Sequence, residues 1–341
     1  MGNAQGKGPC PLKLALAAGL LLLLQACAAQ LPAPPAPEAP TVPPAGPPAA
    51  AAPSLGGRMI ADAQEYPWSA LGRVNLAGQG FCTGILIGPQ QVLTQARCLY
   101  DGRDGRWFQP QELHFIAAYQ QDNFLADSRI ADFTVAPGFN PQGGVSLANI
   151  TNNWALITLG EPIGHTTGWL GLEWDNDSLK AAAERGRAAY LRAGYRSDWP
   201  HAVSLHFGCA ENAANAVKLC EATPTELSLP RFVAVDGELR VLADFYLATP
   251  SQGRALATLT DASVSGDRLG RAAPPANGGT VGQQPTASVA KLLAALGYDV
   301  SGGNINAAAA AFRRDHGLPA SNANDLTLLA ALLNAAQAGS Q

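Results

Sequence analysis

The sequence predicts a mainly β fold followed by a small helical module, and three observations support this division. From about Arg58, short alternating apolar segments are separated by Gly, Pro, Asn and Asp, as in 81–89 and 154–159. This spacing is typical of an all-β barrel or sandwich. A Gly-, Pro- and Ala-rich stretch at 270–280 then indicates a linker. Beyond this linker, the apolar residues recur at helical spacing.

Composition excludes one class of partner. The chain has 341 residues, 47% of them hydrophobic, and a net charge of −4 from 22 basic and 26 acidic residues. The basic residues are spread along the chain without a Lys/Arg run, so no nucleic-acid partner is expected. No pattern points to a cofactor or a metal site, and the expectation for both is none.

The N-terminus predicts export. Lys7 and Lys13 precede an apolar stretch at 14–24, which is too short to span a bilayer and is typical of a signal peptide over 1–26. The sequence Leu24-Gln-Ala-Cys27 resembles a bacterial lipobox, which implies that Cys27 is lipidated and that the membrane is a partner. The resemblance further implies a lipoprotein of the outer membrane that faces the periplasm. The alternative is an ordinary signal peptide with a chance cysteine.

The segment that follows cannot form a core. Residues 31–53 contain ten prolines and almost nothing to bury. Polyproline II is the expected conformation, so residues 27–55 are predicted to be a tether or a passive spacer.

Three motifs in the β region resemble the trypsin-like serine proteases. They are Tyr66-Pro-Trp68, Cys82-Thr-Gly-Ile-Leu-Ile87 and Val92-Leu-Thr-Gln-Ala-Arg-Cys98, which follow one another at the spacing of that family. The resemblance implies a double β-barrel over residues 56–262 and a disulfide between Cys82 and Cys98. It also implies an exported bacterial protein. Disulfides persist in the oxidising compartments to which such proteins are exported.

The three catalytic positions of that family are all replaced. The family's histidine corresponds to Arg97, whose guanidinium cannot serve as a base near neutral pH. The aspartate position is Asn153, an amide that does not stabilise an imidazolium as a carboxylate does. The serine position, in the motif at 221–230, is Leu227. No catalytic residue is therefore assigned, and the resemblance implies an inactive homologue.

The surroundings of the serine position are altered as well. Thr225 replaces a glycine and Leu229 a small residue, so the loop that forms an oxyanion hole is expected to be remodelled. Ser228 lies next to the replaced position, but without a base it is a weak nucleophile. The five histidines match no catalytic motif; they are His114, His165, His201, His206 and His316.

A second disulfide, between Cys209 and Cys220, is implied by resemblance to exported relatives. Two free thiols are the alternative.

The C-terminal segment resembles the three-helix peptidoglycan-binding-like fold. The resemblance rests on 288–299, on 307–319 and on 326–333, and it implies a linker at 263–285 followed by a domain at 286–338. The usual ligand loop is shortened at 301–306. Peptidoglycan is therefore one predicted partner, and a purely structural helical cap is the alternative.

Three functions are consistent with these features. The leading hypothesis is a non-catalytic protease homologue that is anchored in the bacterial envelope and binds a protein or peptide ligand in the former substrate cleft. A second is an active serine endopeptidase with a non-standard site. A third is a structural envelope lipoprotein that binds the cell wall.

Overall fold

A computed structural model describes residues 57–144, 146–173, 177–207, 229–242, 272–275 and 284–338. The described residues all belong to the unit Pro47–Gln341. Several sequence predictions lie outside the described residues, namely those on the signal segment, the proline-rich tether, Cys27, Cys209, Cys220 and Leu227.

The described strands, in chain order, are β1 (Gly57–Ile60), β2 (Leu71–Leu76), β3 (Phe81–Leu86), β4 (Gln91–Thr94), β5 (Tyr100–Asp101), β6 (Arg106–Trp107), β7 (Leu113–Ala117), β8 (Ala126–Val135), β9 (Ala155–Leu159), β10 (Gly171–Glu173), β11 (Ala188–Arg196), β12 (Trp199–Phe207), β13 (Arg231–Val235) and β14 (Glu238–Leu242). The described α-helices are α1 (Leu147–Thr151), α2 (Gly164–Thr167), α3 (Asp177–Glu184), α4 (Thr286–Ala295), α5 (Ile305–Asp315) and α6 (Leu326–Ala338). Short 3-10 helices occupy Trp68–Ala70, Ala96–Leu99, Pro110–Glu112 and Ser301–Gly303.

Six strands form a closed antiparallel barrel in the order β2-β3-β4-β9-β8-β7. Its interior is filled by alternate apolar side chains such as Val74, Ile85, Leu93, Phe115 and Ile157, all completely buried. A period-two pattern that faces a common core is what holds such a barrel together, because each inward side chain leaves water while its neighbours face outward.

The other six long strands form a second sheet in the order β1-β12-β11-β13-β14-β10. Within the described residues this order is open, and its edge strand β10 runs parallel to β14. The trypsin-like, mainly β fold predicted from the sequence is therefore confirmed, with one closed barrel, a second sheet and C-terminal helices. Among the described helices, none has the length and apolar character needed to cross a membrane.

The three C-terminal helices share one continuous apolar core with the β strands. Val289 and Leu292 of α4, Phe312 of α5 and Leu329 of α6 are all buried in it. The module therefore packs directly on the β core, an arrangement that the linker-like sequence before it does not predict.

Polar contacts fix α4 against the segment that follows β1. The indole N–H of Trp68 donates to Ser288 Oγ at 2.9 Å, and both groups are completely buried. The buried carboxylate of Glu65 accepts the N–H of Ala287 at 2.9 and 3.1 Å. A carboxylate at this place satisfies a first-turn N–H and complements the positive end of the helix. Lys291 Nζ adds a bond to the carbonyl of Ile60.

Part of the predicted linker also lies on the core. Ala273 and Trp169 exchange backbone hydrogen bonds in both directions, at 2.9 and 3.0 Å. The described residues 272–275 are thus paired with the segment before β10 rather than separated from the fold.

Candidate functional site

The segment after β4 places Arg97 at the surface with a fixed backbone. Thr94, at the end of β4, is buried and its Oγ1 donates to the carbonyl of Thr83 at 2.9 Å. In the 3-10 helix that follows, Ala96 and Cys98 are buried while Arg97 between them is exposed. A disulfide joins Cys98 to Cys82 on β3, as the resemblance implied, with the two Cα atoms 6.2 Å apart. The side chain of Arg97 therefore projects outward from a tightly held turn.

Asn153 meets this turn from the start of the strand that pairs with β4. It precedes buried Trp154 and β9, and its Oδ1 accepts the backbone N–H of Arg97 at 2.9 Å. Its own N–H donates to the carbonyl of Ile150 at 3.2 Å. The structure thus brings together Arg97 and Asn153, the two residues that the sequence resemblance assigned to the histidine and aspartate positions.

A third residue, Gln95, orients the guanidinium. Its buried side-chain Oε1 accepts Nε–H of Arg97 at 2.7 Å. Within the described part of the chain, the two Nη groups of Arg97 have neither a hydrogen-bond acceptor nor an ion-pair partner. Sequence reasoning did not single out Gln95, although one signal was available, because the family motif has alanine where this chain has glutamine.

These side chains do not supply the chemistry of a general base. A guanidinium is a cation without a free lone pair to accept a proton at neutral pH. The amide oxygen of Asn153 accepts an N–H but carries no charge with which to stabilise an imidazolium. What the arrangement does present to solvent is a fixed positive charge with two N–H-bearing nitrogens on its outer edge.

The end of the nucleophile motif is described from Leu229 onward. Leu229 is 1% exposed, and its carbonyl accepts a hydrogen bond from Arg192 Nη1 at 2.9 Å. It packs against Gly194 of β11, which has a φ of +149°. A Cβ on Gly194 would lie 2.6 Å from Thr83 Oγ1 and 3.1 Å from Leu229 Cδ2. The barrel and the second sheet therefore meet closely here, with a leucine at the position where the family has a small residue. Leu227 and Ser228 lie outside the described residues.

None of the five histidines contacts Arg97 or Asn153 in the described part of the chain. Two of them make polar contacts: His114 Nε2 lies 2.8 Å from Asp127, and His201 Nδ1 lies 3.1 Å from the Tyr119 hydroxyl. The ring of His165 contacts Trp169, and the ring of His316 contacts Phe312. His206 is buried in β12. A substitute base near Arg97 is not seen among them.

Comparisons with known proteins agree with this fold. A family model described as Trypsin matches residues 56–207. The Glutamyl endopeptidase of Bacillus licheniformis is 27% identical over an alignment of 135 positions, which covers 35% of this chain and 35% of that protein. The chain thus spans about a third of the length of this curated relative.

A solved Glu endopeptidase, in complex with MPD, is 18% identical, covers 47% of this chain and 71% of its own, and has a TM-score of 0.37. The family match ends at Phe207, so the position of Leu227 is assigned from the resemblance of its motif alone. Through residues 56–207, this chain is therefore similar to the trypsin-like serine proteases.

Proposed function

We propose that this chain is a trypsin-like serine protease homologue that does not hydrolyse peptides and instead binds a protein or peptide partner at the former substrate cleft. One observation carries the proposal. Asn153 Oδ1 accepts the backbone N–H of Arg97, which joins the two residues that the resemblance assigns to the aspartate and histidine positions, while both side chains lack the required acid–base chemistry.

The magnitude of the loss supports binding over catalysis. Removal of triad residues lowers turnover by a factor on the order of 10⁶. Here the replacements fall on three separate segments, at Arg97, Asn153 and Leu227. A framework that keeps its disulfide, its barrel and its inter-segment hydrogen bond remains suited to present a surface. Peptide recognition on a rigid scaffold needs no nucleophile.

The same proposal places the protein in the bacterial envelope. The export signal at 1–26, the lipobox-like cysteine at Cys27 and the proline-rich segment at 31–53 together support a lipid-anchored, tethered domain. With Cys27→Ser, the protein is expected to move from the detergent phase to the aqueous phase on phase partition. Retention of the variant in the detergent phase would contradict the anchor.

A fluorophosphonate probe tests the absence of catalysis. The full chain, purified in detergent, is incubated with the probe beside active trypsin as the positive control, and the expected result is no covalent label. Labelling of any serine overturns the proposal and favours the active endopeptidase. The Ser228→Ala variant then tells whether the label lies on the serine next to Leu227.

A second function is favoured by the C-terminal helices. The described α4, α5 and α6 are three helices in the segment that resembles peptidoglycan-binding-like domains, which supports cell-wall binding. The test is retention on purified sacculi of the full chain and of a variant with alanine at three exposed positions, Asn304, Arg314 and His316. Full-chain retention that the triple variant lowers supports it. An Arg103→Ala variant on the barrel is the control, and equal retention of all three forms speaks against a site that uses these three residues.

A further inference from the structure

From the geometry around Arg97 we infer that the cleft binds its partner through a carboxylate, so that the partner is an acidic peptide segment or a peptide with a free C-terminus. The inference rests on the proposed binding function and names the chemistry of the ligand at that site.

The first step is that Arg97 is held in place before any ligand arrives. The bond from its backbone N–H to Asn153 and the disulfide of the adjacent Cys98 fix the turn. The bond from Nε to buried Gln95 then fixes the plane of the guanidinium. Ordering an arginine side chain on binding costs free energy, so an arginine that is already ordered binds its ligand more tightly.

The second step concerns which donors remain. Because Gln95 occupies Nε, the outer edge formed by Nη1 and Nη2 faces outward without a partner among the described residues. Two parallel N–H donors on one edge match the two oxygens of a carboxylate, and such bidentate pairs are among the strong hydrogen bonds of proteins. A neutral amide or hydroxyl matches this edge less well.

The third step is that the site keeps its positive charge. Other arginines of the described residues are neutralised by nearby carboxylates, such as Arg106 by Glu112 at 2.7 Å and Arg240 by Glu173 at 2.7 Å. Asn153 accepts the N–H of Arg97 with an uncharged amide. An aspartate at 153 would keep that bond but place a negative charge beside the guanidinium, and it would lower the attraction for an incoming carboxylate.

Two other exposed arginines provide a matched comparison. Arg103 and Arg314 also have no ion pair within the described ranges, yet neither has a buried side chain that holds its Nε. Charge alone is therefore common on this surface, whereas charge together with a fixed orientation distinguishes Arg97.

The experiment is a selection from a random peptide library displayed on phage, with the full chain in detergent as bait. The baits are the unmodified chain, Arg97→Gln and the control Arg103→Gln. Enriched peptides are then synthesised with each Glu or Asp replaced by Gln or Asn, and as free acids and C-terminal amides, for titration by fluorescence anisotropy. Thermal melts of all forms show whether they are equally folded.

The unmodified chain and Arg103→Gln are expected to enrich carboxylate-bearing peptides, and Arg97→Gln is expected to raise their Kd by about tenfold or more. Replacement of the acidic residue should have the same effect if the carboxylate is a side chain, and amidation should have it if the carboxylate is the C-terminus. Arg97→Lys should recover only part of the affinity, and Asn153→Asp should weaken binding without a change of fold.

Peptides that bind equally well to Arg97→Gln, or that contain no required carboxylate, overturn this inference while the binding function stands. Failure of every form to enrich any peptide overturns the proposed peptide binding itself, and this inference with it.

Discussion

At residue scale, the contact between Asn153 and the backbone of Arg97 needs an acceptor oxygen and no charge. Asparagine and aspartate both offer one at nearly the same place. The hydrogen bond that holds this turn can therefore form without a carboxylate. Asn153 supplies the acceptor for the N–H of Arg97 with an uncharged amide.

Asn153→Ala is expected to lower the free energy of unfolding by about 1 kcal/mol, because the N–H of Arg97 loses its acceptor. Asn153→Asp should change it by less than about 0.5 kcal/mol, since the acceptor stays. Urea unfolding of both variants and the unmodified chain gives the comparison. Equal losses in the two variants would show that the hydrogen bond is not what the position contributes.

Glu65 is the residue whose ionisation bears on stability. Burial raises the pKa of its carboxyl to about 7, from an ordinary value of 4.5, and nearby Asp62 acts in the same direction. The N–H groups of Ala287 and Ser288 and the charge of Lys291 lower the pKa but do not offset burial. The folded protein therefore holds this proton more tightly than the unfolded chain does.

The sign of the pH dependence follows from linkage. A pKa raised on folding contributes stability in full below about 4.5, and that contribution declines as pH rises towards 7. We expect the Tm to fall between pH 5 and pH 8, and Glu65→Gln to remove much of this decline. Glu112→Gln is the control, because an ion pair with Arg106 holds the pKa of Glu112 well below this range. Parallel Tm curves for the unmodified chain and Glu65→Gln would refute the assignment.

At element scale, the bond between Trp68 and Ser288 joins a 3-10 helix of the β core to the first turn of α4. Ser288→Ala leaves a completely buried indole N–H without an acceptor, so we expect a loss of about 1–3 kcal/mol in the free energy of unfolding. Asn306→Ala, at an exposed position of α5, should cost less than about 0.5 kcal/mol. Chemical unfolding distinguishes the two, and similar values would mean that the indole finds another partner.

Elements with strong local patterns could be predicted from the sequence. The alternating runs at 81–89 and 154–159 contain β3 and β9, and the apolar period around Leu292 corresponds to α4. The spacing of apolar side chains along one segment is enough to predict a strand or a helix, because each element must bury one face.

What could not be predicted was how the elements meet. Glu65 looks like an ordinary surface residue in the sequence, and its role appears only where α4, more than 200 positions away, folds against it. The sequence of α4 is equally compatible with a separate three-helix core and with the core that the helices share with the β strands. Contacts between segments more than 200 positions apart produce no periodic pattern in the sequence from which they could be predicted.

At the scale of the whole molecule, the shared core predicts one cooperative unfolding transition for the strands and the C-terminal helices. Circular dichroism at a helical wavelength and tryptophan fluorescence should give the same urea midpoint. A truncation that removes residues 286–341 should lower the Tm by roughly 10 °C or more, because it exposes the core around Trp68. Two separate midpoints in the full chain would instead indicate independent domains.

The bond between Gln337 and Tyr190 adds a stabilising role for α6. Tyr190 immediately precedes Leu191 in β11. Leu191 pairs with Phe207 of β12, and this is the last described pair between the two strands. The N–H of Tyr190 donates to Gln337 Oε1 at 3.1 Å. A buried N–H without an acceptor costs free energy, and the side chain of Gln337 removes that cost. A chain that lost α6 to proteolysis would therefore lose this acceptor together with the apolar contacts that α6 makes in the shared core.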